Sequence, residues 1–315
     1  MGDFAMEEHN DTTPQAPVEA PAPQKRKRRF GDRSDGYRLR SLQPMSKVSP
    51  YIMTNRSGAS VYFHESIEIT EAENYIRKKR NQGLKGFGFM HLLLAAYVRV
   101  ISQRPQANRF ISGQRAYSRG EDIVVCLTIK REMTLDAEET IVKVHFSPTD
   151  TADDVYQKLQ SLIDENREAN PDSNFDNTAK IINYIPGVLL KFAIWFLKLL
   201  DYFGLLPKKL IEVSPFHGSM FITSMGSLGI PPVYHHLYDF GNVPVFLSFG
   251  AKYKKTELKP DGTTMQRKYI DYNIVCDERI CDGFYLASSF KLFKTYFRNP
   301  HVLDQAPETV VHDVD

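Results

Sequence analysis

The residues best placed to do chemistry lie together near the end of the chain, in Val275-Cys276-Asp277-Glu278-Arg279-Ile280-Cys281-Asp282-Gly283-Phe284. The segment combines carboxylates, a guanidinium and thiols. A carboxylate placed here can act as a general base if it is free to take a proton. Asp277, Arg279 and Asp282 can pair charges, and pairing Glu278 with Arg279 would lower its proton affinity and work against that use. The spacing alone is a weak signal, because Asp-Gly is a common turn and helix-entry dipeptide. Other chemistries find less support. His64 lies in the first strand and His217 precedes the serine segment, and His235-His236 lack the carboxylate or cysteine spacing of a metal site. A lone histidine is more often a satisfied structural residue than a catalyst. There is no phosphate-binding loop, no G-x-G-x-x-G and no G-x-S-x-G elbow. Cys126, Cys276 and Cys281 form no metal spacing, and an odd count argues against a disulfide framework.

Positioning that segment requires a strand before it and a helix after it, and the patterning supplies both. Phe246–Leu258 and Met265–Val275 read as strands joined by a hairpin turn at Pro260-Asp261-Gly262. Phe284–Phe297 reads as an amphipathic helix. Upstream, Val61–Ile69 reads as a strand and Thr70–Asn81 as a charged surface helix closed by Gly83. Phe89–Arg104 is apolar over most of its circumference and predicts a buried helix. Asp122–Lys130 and Thr140–Phe146 read as strands. Thr151 opens T-x-x-D, a capping-box variant, with a helix to about Glu168. Strands and helices are intermixed, which predicts one α/β (α+β) domain.

The order of short motifs resembles the acyltransferases that include chloramphenicol acetyltransferase and the catalytic domain of 2-oxo acid dehydrogenase acyltransferase components. Those carry H-x-x-x-D-G between the last strand and last helix, in the dehydrogenase type as D-H-R-x-x-D-G. Residues 277–283 match that form except at 278. Met220–Gly229 (MFITSMGSLG) resembles the family's F-T-I-S-x-L-G stretch. Arg104–Val124 resembles its P-x-x-N stretch followed by a hairpin. Ser46–Arg56 with Tyr62–Ile69 resembles its opening helix and first strand. The resemblance spans roughly residues 40–300. It implies a chloramphenicol-acetyltransferase-like mixed β-sheet covered by helices, a homotrimer or larger shell, and coenzyme A as co-substrate. It also implies a site shared between subunits, with the base from one chain and the serine from its neighbour. Ser224 matches the serine whose hydroxyl stabilises the tetrahedral oxyanion, with Thr223 in that place if the register differs by one. Asp282 matches an aspartate that pairs with an arginine and holds the loop; Arg38, Arg40 and Arg56 are the candidates. As a plain alternative, Asp282 is a helix N-cap. Nothing before residue 40 resembles a lipoyl domain, so a free-standing catalytic-type domain is expected.

The departure from the family is Glu278, which stands where the base is histidine. A thiol of pKa about 8.5 protonating an imidazole of about 6.5 goes uphill by roughly 2.7 kcal/mol. Protonating a carboxylate of about 4.3 goes uphill by near 5.7 kcal/mol. The deficit, about 3 kcal/mol, is within what burial of a carboxylate restores. Two outcomes therefore stand side by side. One is coenzyme A-dependent acyl transfer with Glu278 as base. The other is a non-catalytic trimer of the same fold that binds acyl-coenzyme A or scaffolds partners, including at a membrane surface.

The remaining sequence sets the surroundings. The 315 residues are 42% hydrophobic and 25% charged, an ordinary globular composition. With 40 basic and 38 acidic residues the formal charge is +2, and no nucleic-acid partner is expected. Residues 1–35 read as a disordered Pro-rich tail with a basic run, Lys25–Arg29. Residues 36–305 form the expected domain, and 306–315 an acidic C-terminal tail. The start lacks a secretory n-region and h-region. A cytoplasmic address is expected, with peripheral membrane contact as an addition. That addition comes from Ile181–Leu206, the most apolar stretch, inside a helical insertion at 176–212. Lys191, Lys198 and Asp201 interrupt it too often for a span. They share a narrow helical face, so 186–203 suits either burial against protein or a membrane interface.

Overall fold

The computed structural model describes residues 26–130, 139–168 and 185–315. Its centre is a six-stranded mixed sheet in the order β2-β9-β8-β7-β5-β6. The strands are β2 (Ser60–Glu68), β5 (Ile123–Lys130), β6 (Glu139–Phe146), β7 (Met220–Ser224), β8 (Val245–Leu258) and β9 (Thr264–Asp277). β7 runs parallel to both β5 and β8; the other pairings are antiparallel. Strands covered on both faces read as unbroken apolar runs rather than alternating ones. That is the character of Ile123–Leu127 and of Val245–Leu247, all buried.

One sheet face carries the main core. Against it pack α2 (Thr70–Asn81), α3 (Phe89–Gln103), α4 (Ala152–Glu168) and α7 (Gly283–Arg298). Leu92, Leu94, Ala96 and Val98 of α3 are fully buried, as its all-round apolarity requires. α4 starts with the expected reciprocal cap: the Asp154 N–H donates to Thr151 Oγ1 (3.2 Å), and the Thr151 N–H donates to Asp154 Oδ2 (2.9 Å). The opposite face carries a smaller cluster of Cys126, Phe221, Leu237, Val243, Phe246 and Val275. The β8–β9 hairpin turns at Gly262, whose φ of +81° is the left-handed backbone that a tight turn needs. Its Asp261 side chain accepts the Thr263 N–H at 2.9 Å.

A second, three-stranded sheet, β1-β4-β3, sits to the side. It consists of β1 (Tyr37–Arg38), β3 (Arg109–Ser112) and β4 (Arg115–Ser118). The remaining helices are α1 (Pro44–Ile52), α5 (Gly187–Tyr202) and the short α6 (Lys208–Val213). Both segments expected to lie outside the domain make specific contacts where they are described. Arg33 is buried at 2% exposure. Arg109 holds Asp313 through two guanidinium–carboxylate bonds, and the Val311 N–H donates to the Ser102 carbonyl at 2.8 Å. Charge pairing therefore ties residues 33–35 and 306–315 to the fold. The front of the expected insertion, up to residue 184, lies outside the described residues, as do residues 1–25.

Candidate functional site

β9 ends on Asp277, and side-chain alternation there decides which carboxylate is free. Asp277 is fully buried, Glu278 is exposed, and Arg279 is buried again. Arg279 folds back on Asp277 as a fork, with Nε to Oδ1 at 2.7 Å and Nη2 to Oδ2 at 2.6 Å. Its third nitrogen donates to the Met53 carbonyl at 2.7 Å. Arg56, also buried, places Nε 3.5 Å from Asp277 Oδ2 and donates to the carbonyls of Tyr238 and Ile111. The guanidinium that could have neutralised Glu278 is thus fully committed elsewhere. Among the described residues Glu278 has no ion pair, and its backbone N–H is fixed to the Ala59 carbonyl at 2.9 Å. A carboxylate is presented outward beside the buried Asp277–Arg279–Arg56 cluster.

Asp282 stands four residues on and begins α7. Its Oδ1 accepts the Tyr285 N–H at 2.8 Å, the geometry of an N-cap. The arginine partner expected for it is absent among the described residues. Arg56 serves Asp277 instead, and Arg40 pairs with Asp32 at 3.4 Å. The exposed Asp282 caps its helix while the buried Asp277 takes the arginines, because only a buried carboxylate needs a full counter-charge. Cys281 beside it is pushed up to about 12 by burial, so its thiol stays neutral.

Ser224 closes β7 and pairs with Phe249 of β8. The following turn crosses directly over β8: the Met225 N–H donates to the Phe249 carbonyl at 2.8 Å. A Cβ on Gly226 would come within 2.9 Å of the Gly250 carbonyl oxygen, so this close crossing needs glycine. The register then places Ser224 in a row with Phe249 and Tyr272. Glu278 lies six residues beyond Tyr272, at the opposite end of the strands, which is about 20 Å at 3.3 Å per residue. The structure brings Glu278 and Asp282 onto one loop. It does not bring Ser224 of the same chain to them.

Two groups escaped the sequence reading. The Asp277–Arg279–Arg56 cluster was visible only as neighbouring charges without a direction. The other is a buried polar network that anchors α5. Asp201 accepts from Arg33 (2.6 Å), and His217 Nε2 lies 3.3 Å from it. Arg33 also reaches Asp35 at 2.9 Å, and Arg119 lies 3.7 Å from the same carboxylate. Burial alone would raise the Asp35 carboxyl, but Arg33 and Arg119 override it and hold it near about 2. Burial pushes the His217 imidazole below its ordinary value despite Asp201. The signal for this network was a single acid inside the most apolar stretch, and a lone charge in such a place implies a buried partner. The narrow polar face expected on this helix is divided: Asp201 turns inward, while Lys191 and Lys198 remain exposed. A polar cavity of about 200 Å³ lies between the two groups, lined among others by Arg56, Arg279, Lys198, Asp201 and Tyr202. Among the described residues no cluster of histidine, cysteine and carboxylate side chains could hold a metal.

No family model and no curated protein matches the sequence. Solved structures do. The probable dihydrolipoamide acetyltransferase from Listeria monocytogenes 4b F2365 superposes with a TM-score of 0.53 at 12% identity, covering 82% of this chain and 95% of its own. The cubic core of the pyruvate dehydrogenase multienzyme complex gives 0.53 at 14%, covering 84% and 93%. Azotobacter vinelandii dihydrolipoamide acetyltransferase gives 0.52 at 13%, also covering 84% and 93%. That enzyme was investigated for the role of a serine, a histidine and an asparagine in its catalytic mechanism. The fold class is therefore the acyltransferase one expected from the motifs: a mixed sheet and helices in the arrangement of a 2-oxo acid dehydrogenase acyltransferase core.

Proposed function

We propose that this protein is a coenzyme A-dependent acyltransferase in which Glu278 replaces histidine as general base. The observation that carries the reading is the commitment of Arg279 to Asp277, which leaves the Glu278 carboxylate unpaired and outward-facing. Glu278 and Asp282 have the four-residue spacing of the histidine and asparagine investigated in the Azotobacter vinelandii enzyme. In the proposed reaction Glu278 takes the proton from an acceptor thiol or hydroxyl, which attacks the thioester carbonyl. Ser224 of a neighbouring chain donates a hydrogen bond to the oxyanion that forms. Collapse of the tetrahedral intermediate expels coenzyme A thiolate, which recovers the proton from Glu278. The two groups lie at opposite ends of one chain's sheet, and this favours a homotrimeric site.

The test is consumption of acetyl-coenzyme A and formation of acetylated acceptor, followed by chromatography, with a panel of acceptors that includes dihydrolipoamide. Glu278→Gln keeps the size and removes the base, and should abolish turnover while leaving the melting temperature unchanged. Absence of turnover in the unaltered protein across the panel, or turnover indifferent to this substitution, refutes the reading.

A further inference from the structure

We infer that α5 is a docking element that lies in the surface of an anionic lipid bilayer. Its own chain does not cover it. Val188 is 81% exposed, Phe192 61% and Trp195 55%, with Phe196, Leu199, Tyr202, Phe203 and Leu205 also exposed. At 3.6 residues per turn, Leu190, Leu197 and Asp201 share the side facing the body. Val188, Phe192, Trp195, Phe196 and Leu199 share the side facing away, an apolar arc about 100° wide.

The helix does not flop on this side. Its last turn is fastened from below by three bonds: Arg33 Nη1 and Ser112 Oγ both donate to the Asp201 carbonyl (2.6 and 3.2 Å), and Tyr202 Oη donates to Gln114 at 2.8 Å. An apolar surface is thus held rigidly outward. Sixteen residues make a helix of about 24 Å, short of the ~30 Å hydrocarbon thickness. No described helix is long and apolar enough to cross a membrane. The element can lie in an interface but not span it.

Charge selects the occupant. Lys191 and Lys198 flank the apolar arc on one side, both exposed and without an acidic partner among the described residues. Lys209 is exposed just beyond. Of the exposed acids nearby, Glu212 is already 3.4 Å from Lys208, and Asp239, which lines the same cavity as Lys198, accepts the Ser57 N–H and hydroxyl at 2.9 Å. A second copy meeting this face symmetrically would bring the lysines against their own kind. An anionic headgroup layer pairs them while Phe192, Trp195 and Phe196 enter the acyl boundary. Lys198 and Tyr202 also line the cavity shared with Arg279, so docking sets the Glu278 loop close to the lipid surface. The inference stands whether or not acyl transfer is the reaction.

Trp195 is the only tryptophan, which makes the test direct. Full-length protein is titrated with vesicles of phosphatidylcholine, with or without phosphatidylglycerol, and followed by tryptophan emission and co-sedimentation. Anionic vesicles should shift the emission to the blue, and brominated lipid should quench it. Lys191→Gln with Lys198→Gln should weaken binding by about 25-fold, two charges at roughly fivefold each. Phe192→Ser with Phe196→Ser should abolish it without changing the melting temperature. Unmoved emission and no co-sedimentation overturn the inference. Emission already blue-shifted without lipid, together with a mass above one chain that these phenylalanine changes reduce, also overturns it and assigns the face to self-association.

Discussion

Two individually inactive variants, mixed, should restore a defined fraction of activity. Ser224→Ala removes the proposed oxyanion donor and should lower kcat by about 100- to 1,000-fold. Glu278→Gln removes the base. The paired rows of β7, β8 and β9 put the two residues about 20 Å apart along the strands. A reacting carbonyl needs both within hydrogen-bond reach, so one chain cannot supply both. If each site in a trimer takes Glu278 from one chain and Ser224 from the next, an assembly that contains both variants has both groups intact at one site in three, since a mixed ring of three has a single correctly ordered contact. The two variants would be co-expressed with different tags and purified through both, and activity normalised to wild type. Recovery near one third supports the shared site. Mixed assemblies no more active than either parent refute it, and so does full wild-type activity in a species of one chain's mass.

Two further outcomes follow from groups outside the reacting pair. Asp277→Asn leaves Arg56 and Arg279 buried without a counter-charge, which should destabilise the fold by about 3–5 kcal/mol in urea unfolding; a change under 1 kcal/mol would show that water reaches the cluster. Burial, aided by Arg80, pushes the His91 imidazole down to about 4 from 6.5, so the folded chain keeps it neutral while the unfolded chain binds a proton. Stability should therefore fall as pH drops from 6.5 to 4, by up to about 3 kcal/mol from this group, and then level. His91→Gln should remove that component of the pH profile, and an unchanged profile would contradict the assignment.

The elements around the site were legible because each was written twice, in periodicity and in punctuation. The strand runs at 246–258 and 265–275 end at turns that residue type alone marks, and the helix at 284–297 is preceded by its cap. α3 showed its burial through its lack of a polar face. The site was legible as a position but not as a geometry. Which of Asp277, Glu278 and Asp282 would take an arginine depends on which side chain the last strand residue turns inward, and a one-residue change of register reverses the answer. The partners Arg56 and Arg33 come from distant segments, and no local pattern announces them. The covering of α5 was open in the sequence because an apolar helix looks the same whether its neighbour is protein or lipid.

The alternation at the end of β9 gives the glutamate its meaning. Asp277 points in and gathers two arginines, and the chain reversal that carries Arg279 back onto it forces Glu278 outward. The same charge pairing that holds the loop therefore isolates the proposed base. Proton transfer from a thiol to a carboxylate in water is uphill by near 5.7 kcal/mol, and removing water from the carboxylate is the term that lowers it. One chain leaves Glu278 exposed, so the drying must come from whatever closes over the loop. A neighbouring chain that brings Ser224 would supply both the oxyanion donor and the cover. In that arrangement assembly and base strength are one requirement, which is why a glutamate can occupy a position where an imidazole would need no such help.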